Sequence, residues 1–343
     1  MTRRMPAEGD RQERLWLAWP TAGYTLGDDP QDAELARQTW AAVANAAAGF
    51  EPVSVVVHPR DLEIAPRYLD GAIEVHVREI DDAWMRDIGP TFVLDDGVLG
   101  AVTWVFNGWG AQDWATWDHD STLAPALAEW AGAVRVDSDL VNEGGGIHVD
   151  GLGTVMVTET VQRDPGRNPG ISREAVEAEL ARTLGTTKTI WLPRGLTRDS
   201  EKFGTRGHVD IVATFASPGV VLLHDQRDSA HPDYEVTRQL RAVLEAETDA
   251  RGADLQLIDL PAPQTLRDRE GFVDYSYVNH VLVNDGVIAC SFDDPADADA
   301  VAILRDAYPG REVVTVDARP LFARGGGIHC ITQQQPAVPG VPK

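Results

Sequence analysis

Ala323-Arg-Gly-Gly-Gly-Ile-His-Cys-Ile-Thr-Gln-Gln-Gln335 presents one thiol, Cys330, beside three successive glycines. Glycines in that setting let backbone and ligand approach closely, because no Cβ stands in the way. The other cysteine, Cys290, lies in the apolar run Val287-Ile-Ala-Cys-Ser-Phe292 and reads as a small buried hydrophobe. The five residues Gly-Gly-Gly-Ile-His recur at 144–148, inside Asn142-Glu-Gly-Gly-Gly-Ile-His-Val-Asp-Gly151. Self-similarity of this kind points to repeated structural units.

Four segments share one order: strand, tight turn, strand, helix, strand. In the first, strands at 91–94 and 98–105 flank Asp95-Asp-Gly97, ahead of a helix at 123–130 and a strand at 133–136. The second has strands at 147–149 and 154–158, a helix at 172–184 and a strand at 189–192. The third has strands at 208–215 and 220–223, a helix at 234–247 and a strand at 255–260. In the fourth, strands at 275–283 and 287–292 flank Asn284-Asp-Gly286, followed by a helix at 296–308 and a strand at 312–316. A fifth unit assembles only from both chain ends: a strand at 328–332 beside one at 15–19, with a helix at 34–50 and a strand at 53–57. A short helix at 62–69 and a strand at 73–77 lead on from it.

A last unit split between the termini closes a ring instead of ending an open sheet, and radial repetition leaves few exposed strand edges. The expectation is an α/β fold of one catalytic domain spanning 1–343: a closed α/β propeller of five pseudo-symmetric ββαβ-type units. The alternative, a doubly wound sheet, needs single strands alternating with helices, whereas hairpins recur here. No long Gly/Ser/Pro linker marks a domain boundary, and 162–170 reads as a surface loop.

Composition limits the function. With 43% hydrophobic residues and ten tryptophans the chain can bury a full core. Thirty Lys and Arg against 54 Asp and Glu give a formal charge of −24, which argues against nucleic acid and anionic membrane surfaces and favours a cationic ligand. Two cysteines make no disulfide framework, no signal-peptide h-region follows Met1-Thr-Arg-Arg-Met-Pro6, and no run of about 18 apolar residues occurs, so a cytoplasmic protein is expected. The sequence is compatible with a homo-oligomer.

In a ring of this kind the first strand of every unit starts near the axis. Those starts hold Asp87, Glu143, His208 with Asp210, Asn279 and Cys330, spaced about 50–70 positions apart as one unit each demands. His208 and Asp210, two apart on an expected strand, would face the same side. Three carboxylates, an imidazole and a thiol make a poor core but a good site for binding a cation and attacking it. A guanidinium fits: it is planar, permanently charged and rich in N–H donors that match carboxylate oxygens in pairs. Cys330 is the expected nucleophile, and His208 the acid that protonates departing ammonia and the base that then activates water. Asp87 and Asp210 are expected to clamp the guanidinium, Glu143 to complete the clamp or orient His208, and Asn279 to share the pocket. The intermediate would be an S-alkylthiouronium, hydrolysed to a ureido group. Trp104-Val-Phe-Asn-Gly-Trp109 and Trp114-Ala-Thr-Trp117 read as core or pocket wall, the second also as a candidate lid.

Several segments resemble the agmatine deiminase family, relatives of bacterial peptidyl-arginine deiminases within the guanidino-modifying (pentein) superfamily. They are Asp82-Ala-Trp-Met-Arg-Asp-Ile-Gly-Pro90, Glu143-Gly-Gly-Gly-Ile-His-Val-Asp150, Gly207-His-Val-Asp210, Ser276-Tyr-Val-Asn279 and Gly326-Gly-Ile-His-Cys-Ile-Thr-Gln-Gln334. Leu17-Ala-Trp-Pro20 and Asn168-Pro169 resemble it too, so nearly the whole chain is covered. The resemblance implies the fivefold fold and the Cys/His/acid roles above. It also implies a substrate contact from Trp84, no metal or organic cofactor, and hydrolysis of agmatine to N-carbamoylputrescine and ammonia, a step of polyamine metabolism. Two positions depart from the family pattern. Gly204 stands four before His208 where agmatine-type members carry an acid, and Gly327 stands where an Asn is common. Arg206, nearby, could pair with a substrate carboxylate or be a solvated loop cation.

Other readings stay open on sequence. The pairs His148/Asp150 and His208/Asp210 would suit a metallohydrolase, which leaves Cys330 without a role. An amidinotransferase shares the site plan and differs in having an amine resolve the intermediate. Deimination of an arginine derivative, arginyl peptide or guanidino acid is a further alternative, and an acidic module binding cationic partners is the non-enzymatic one.

Overall fold

Asp96 and Gly97 both take left-handed backbone angles, φ 50° and 83°, the geometry of a two-residue hairpin turn whose twist matches its strands. They join the antiparallel strands Thr91–Asp95 and Val98–Val105 with Asp95 opposite Val98. The helix Leu123–Trp130 then carries the chain to Val134–Val141, parallel to the second hairpin strand. Arg3–Arg4 adds a short antiparallel edge to Thr91–Asp95. The computed structural model describes residues 3–21, 23–27, 29–201 and 203–340.

The plan recurs. Ile147–Val149 and Thr154–Thr158 form a hairpin, Arg173–Leu184 a helix and Lys188–Leu192 a parallel strand. Ala213–Ser217, Val220–Asp225, Asp233–Ala246 and Gln256–Pro261 repeat it, as do Val281–Val283, Gly286–Ser291, Asp297–Ala307 and Glu312–Asp317. The remaining sheet draws on both chain ends. Thr332–Pro336 lies antiparallel to Gln12–Ala18, and Val53–Val57 and Glu74–Val77 follow in parallel after the helix Pro30–Ala48. The protein is thus a mixed α/β fold of five small sheets, each with an antiparallel pair and a parallel partner reached through a helix; the pair is a hairpin in four of them and joins the two chain ends in the fifth.

Central strands are apolar because they are covered on both faces. Val55, Val56 and Val57 are buried, as are Val155, Met156 and Val157, and each such side chain contributes roughly 1.5–3 kcal/mol of burial free energy. Helix starts are written locally. The Asp29 carboxylate accepts the N–H groups of Gln31 and Asp32, and the Ser172 hydroxyl accepts that of Ala175, each cap stabilising by about 1 kcal/mol.

Four expected elements differ, and three of the differences matter for the site. The strand expected over 208–215 starts only at Ala213, after a 3-10 turn at Val209–Ile211; those expected over 275–283 and 328–332 start at Val281 and Thr332. Side chains intercept the backbone there. The Asp199 carboxylate takes the N–H groups of Gly207 and His208, at 2.7 and 2.9 Å, and the Asn279 amide oxygen takes that of His329 at 3.0 Å. His208 and Asp210 therefore share no strand face. The helix expected at 62–69 is replaced by 3-10 turns at Pro59–Asp61 and Ala65–Arg67, where Pro59 and Pro66 lack the N–H that a longer helix needs. The segment 162–170, expected at the surface, buries Gln162, Asp164, Arg167 and Asn168. No helix among the described residues is long and apolar enough to cross a membrane.

Candidate active site

Each first strand is entered through an irregular turn, and those turns carry the polar side chains. Asp87 sits in the short helix Met85–Ile88, Glu143 before the Gly144–Gly146 turn, Asp210 in the Val209–Ile211 turn, and Asn279 and Cys330 just ahead of Val281 and Thr332. All five, with His208, are at most 5% exposed.

Cys330 Sγ lies 3.5 Å from Asp210 Oδ2 and 3.3 Å from the amide nitrogen of Asn279, which also donates to the Asp210 carbonyl at 3.2 Å. Burial, with Asp210 and Asp87 adding, holds the thiol well above its ordinary pKa, so it is neutral while the pocket is closed. His208 is held from two sides: its Nε2 is 3.1 Å from Glu143 Oε2 and its Nδ1 3.9 Å from Asp87 Oδ2. Burial disfavours its charge, but Asp87, Glu143 and Asp210 outweigh that and lift its pKa to about 9. Asp87 accepts the Trp109 indole N–H at 2.9 Å and the Gly145 backbone N–H at 3.0 Å. Burial, partly offset by His208, lifts its pKa to about 6. Asp210 is pulled the other way: burial would raise it, but His329, 2.8 Å from Oδ2, holds it below the usual carboxylate range.

Glycines make room for this arrangement. A Cβ on Gly145 would lie 2.4 Å from His208 Nδ1 and 3.0 Å from Asp87 Oδ1, one on Gly326 2.7 Å from the Trp84 ring and 3.1 Å from Cys330 Sγ. At Gly327 the Asn279 amide oxygen occupies the space a Cβ would need. Gly204 likewise has no room for a side chain, since a Cβ would meet the Asp199 carbonyl.

Cys330, Asp87, Trp84, Trp109, Tyr24 and Phe203 are among the residues lining a cavity of about 10 Å3. That is about the room a single water needs, so no guanidinium fits until the site opens. Tyr24 stacks on Phe203 with ring centroids 4.5 Å apart, Trp114 packs edge-on against both, and the Trp84 indole N–H donates to the Tyr24 hydroxyl at 2.7 Å. Trp114 is therefore part of the cover, Trp109 is pocket wall, and Trp104 is core with its N–H on Thr91.

The geometry brings together Cys330, His208, Asp87, Asp210, Glu143, Asn279 and Trp84. Arg206 is set apart: its guanidinium faces Asp164 at 3.4 Å and is partly exposed, while the neighbouring Thr205 lines the cavity. Several partners were not singled out from sequence. Arg167 Nε meets both Glu143 oxygens, at 2.9 and 3.0 Å, from the segment read as surface loop; the Arg-Asn-Pro run was its only signal. Burial would raise Glu143, but Arg167 and His208 hold it at about 2, a carboxylate at any working pH. Glu8, His148 and His329 form the one group among the described residues with metal-like spacing, yet Arg86, 3.4 Å from Glu8, already matches that acid's charge. Asp150 instead accepts the N–H groups of Leu152 and Thr154 in a turn.

The Porphyromonas-type peptidyl-arginine deiminase family model matches residues 4–336. A Streptomyces coelicolor relative is 54% identical over 338 residues, covering 98% of this chain and 99% of that protein. A Pseudomonas putida agmatine deiminase is 42% identical over 360 residues, covering 97% and 95%. The solved agmatine deiminase of Enterococcus faecalis, described as catalysing its reaction, superposes with a TM-score of 0.91 at 35% identity, covering 98% of this chain and 96% of that one.

Proposed function

Because the chain belongs to the Porphyromonas-type peptidyl-arginine deiminase family, we propose that it hydrolyses agmatine to N-carbamoylputrescine and ammonia in this pocket. The enzyme is a hydrolase acting on a guanidino C–N bond. The observation that carries the reading is geometric: Cys330, which lines the small cavity together with Asp87, has Asp210 3.5 Å from its sulfur, and His208 stands between Glu143 and Asp87 at 3.1 and 3.9 Å.

Asp87 and Asp210 grip the guanidinium. Asp210 Oδ1 and His208 Nδ1 are buried without a hydrogen-bond partner among the described residues, so each has capacity for substrate. The arriving positive charge offsets the two carboxylates that keep Cys330 protonated, and the thiolate forms and attacks the central carbon. The C–S bond forms, His208 gives its proton to the departing nitrogen, and ammonia leaves an S-alkylthiouronium. The thiol proton is released as the thiolate forms, and His208 is left neutral for the next step. Water then adds to the same carbon with His208 as base, the C–S bond breaks, and the neutral ureido product, a thiol and one proton result. Glu143, fixed by Arg167, orients His208; Asn279 orients the sulfur; Trp84 flanks the substrate. Each step uses only side chains of this chain, and no metal or organic cofactor enters the reading.

Agmatine is preferred to arginine for two reasons. A dication suits a chain of net charge −24, and Arg206, the cation suited to a substrate carboxylate, is turned towards Asp164. The five sheets form a closed ring of pseudo-symmetric units in one domain, supported by the sheet shared between the two chain ends. Two buried, unpaired cysteines suit a reducing cytoplasm.

The test is ammonia release from agmatine, arginine, an arginyl peptide and shorter guanidino acids, with Cys330→Ala as control. Agmatine should be the fastest and Cys330→Ala inactive. The profile of kcat/KM against pH should rise as Asp87 ionises near 6 and fall as His208 loses its proton near 9. Ammonia release that survives Cys330→Ala, or none from any guanidino compound, sinks the reading.

A further inference from the structure

His329 touches neither the cavity nor the reacting sulfur, yet both of its ring nitrogens face carboxylates. Nδ1 is 2.8 Å from Asp210 Oδ2 and Nε2 is 2.6 Å from Glu8 Oε1, and all three residues are buried. An ionised carboxylate only accepts hydrogen bonds, so two of them on one imidazole require both nitrogens to carry hydrogen. Glu8 comes from the N-terminal segment and is held in turn by Arg86, whose guanidinium also reaches Gln334 at 2.6 Å and the His329 carbonyl at 3.3 Å. The quartet Arg86, Glu8, His329 and Asp210 sums to no net charge, the condition under which buried ions persist.

The other groups around His329 do not compete for its proton. His148 accepts the Phe215 N–H on Nδ1, which leaves Nε2–H for Thr214, so it is neutral. His280 pairs with the Tyr277 carbonyl and the Tyr308 hydroxyl and is neutral as well. Burial pushes both imidazoles down to about 4, whereas Glu8 and Asp210 outweigh burial at His329 and hold it up. His148 and His329 occupy the same place in the two Gly-Gly-Gly-Ile-His repeats, so equal sequence serves unequal ends.

We propose that His329 is a positioning residue of the reaction: as an imidazolium anchored by Glu8, it pins one oxygen of Asp210 and keeps that carboxylate ionised beside Cys330 through the whole cycle. The other oxygen stays open to the guanidinium. The two clamps then divide the work. Asp87, held by the Trp109 and Gly145 N–H groups and 3.9 Å from His208, grips the guanidinium from its own side, and Asp210 remains an anion.

The inference rests on the deiminase reading, so its test has one arm that needs no substrate. With 15N-labelled histidine at pH 7, the His329 ring should show hydrogen on both nitrogens, and Glu8→Gln should leave it on one. Wild-type His329 bare on either nitrogen overturns the proposal even if agmatine is hydrolysed. In the kinetic arm, Glu8→Gln and His329→Gln should move the acidic limb of kcat/KM upward by about one pH unit, with activity recovering as pH is raised towards 8.5. A purely structural residue would lower activity by the same factor at every pH, and that outcome also overturns it. Should His329→Gln not fold, Glu8→Gln carries both arms. Failure of wild-type enzyme to release ammonia would count against the deiminase reading and leave the first arm to decide.

Discussion

Gly145 is the residue on which the catalytic geometry turns most sharply. Its backbone N–H holds Asp87 at 3.0 Å, while its missing side chain leaves room for the His208 ring. Gly145→Ala would set a methyl 2.4 Å from His208 Nδ1, and His208 can yield only by leaving Glu143 or Asp87. Since displacement of a catalytic group by about 1 Å costs on the order of a hundredfold in rate, kcat/KM should fall by about that factor. The backbone angle there is open to alanine, so thermal stability should drop far less than activity does. Steady-state kinetics beside a thermal melt checks this, and a variant within threefold of wild type would show that His208 is free to move.

At the scale of elements, the short helix Gly23–Leu26 brings Tyr24 to the cavity wall beside Phe203. The helix is tied to the segment that leads to Cys330: Arg324 donates to the Thr25 carbonyl at 2.6 Å and the Asp32 carbonyl at 3.0 Å. Tyr24 stacks on Phe203 where both line the cavity, so parting of that stack is the expected route of entry for substrate. Tyr24→Ala should therefore speed alkylation of Cys330 by iodoacetamide in the substrate-free enzyme by about tenfold and raise KM more than it lowers kcat. Unchanged alkylation would place the gate elsewhere. The sequence discloses the framework and much less of this cover. Strands such as 53–57 and 154–158 and the helix at 123–130 are legible because apolar periodicity and turn residues act locally. The turns holding His208, Asn279 and Cys330 read as strand because their residues are apolar and β-branched on either side. What bends them is distant: Asp199 for His208, and Asn279 for His329. The clustered set of the candidate site was legible from unit spacing, since Asp87, Glu143, Asp210, Asn279 and Cys330 each precede a first strand by two to four residues. Glu8 and Arg167 were not, because neither lies at a unit start and each acts only through a partner far away in the chain.

For the whole molecule, the proposed closed ring has a testable consequence, because a ring has no required starting point. Thr332 pairs with Leu17 and Pro336 with Gln12, the Ala337 N–H reaches the Arg11 carbonyl at 2.9 Å, and Arg4 and Gly340 line one surface cleft of about 810 Å3. Gln12–Ala18 and Thr332–Pro336 thus share one sheet, and a permutant that joins residue 343 to residue 1 through a short Gly/Ser linker should preserve these pairings. New ends can be opened between Pro309 and Gly310, both exposed, where nothing crowds the backbone and the helix Asp297–Ala307 hands over to the strand Glu312–Asp317. Such exposed turns tolerate cleavage well, so the permutant should fold and keep kcat/KM for agmatine within about tenfold of the parent. Deleting residues 332–340 should behave oppositely. It strips an edge from Gln12–Ala18, takes Gln335 from the Trp16 indole and Gln334 from Arg86, and so undoes both the core and the layer beneath Cys330. Far-UV circular dichroism and ammonia release on the two proteins decide the matter: a permutant that is folded but inactive would mean that the arrangement around Cys330 depends on chain order, against a ring held by strand pairing alone.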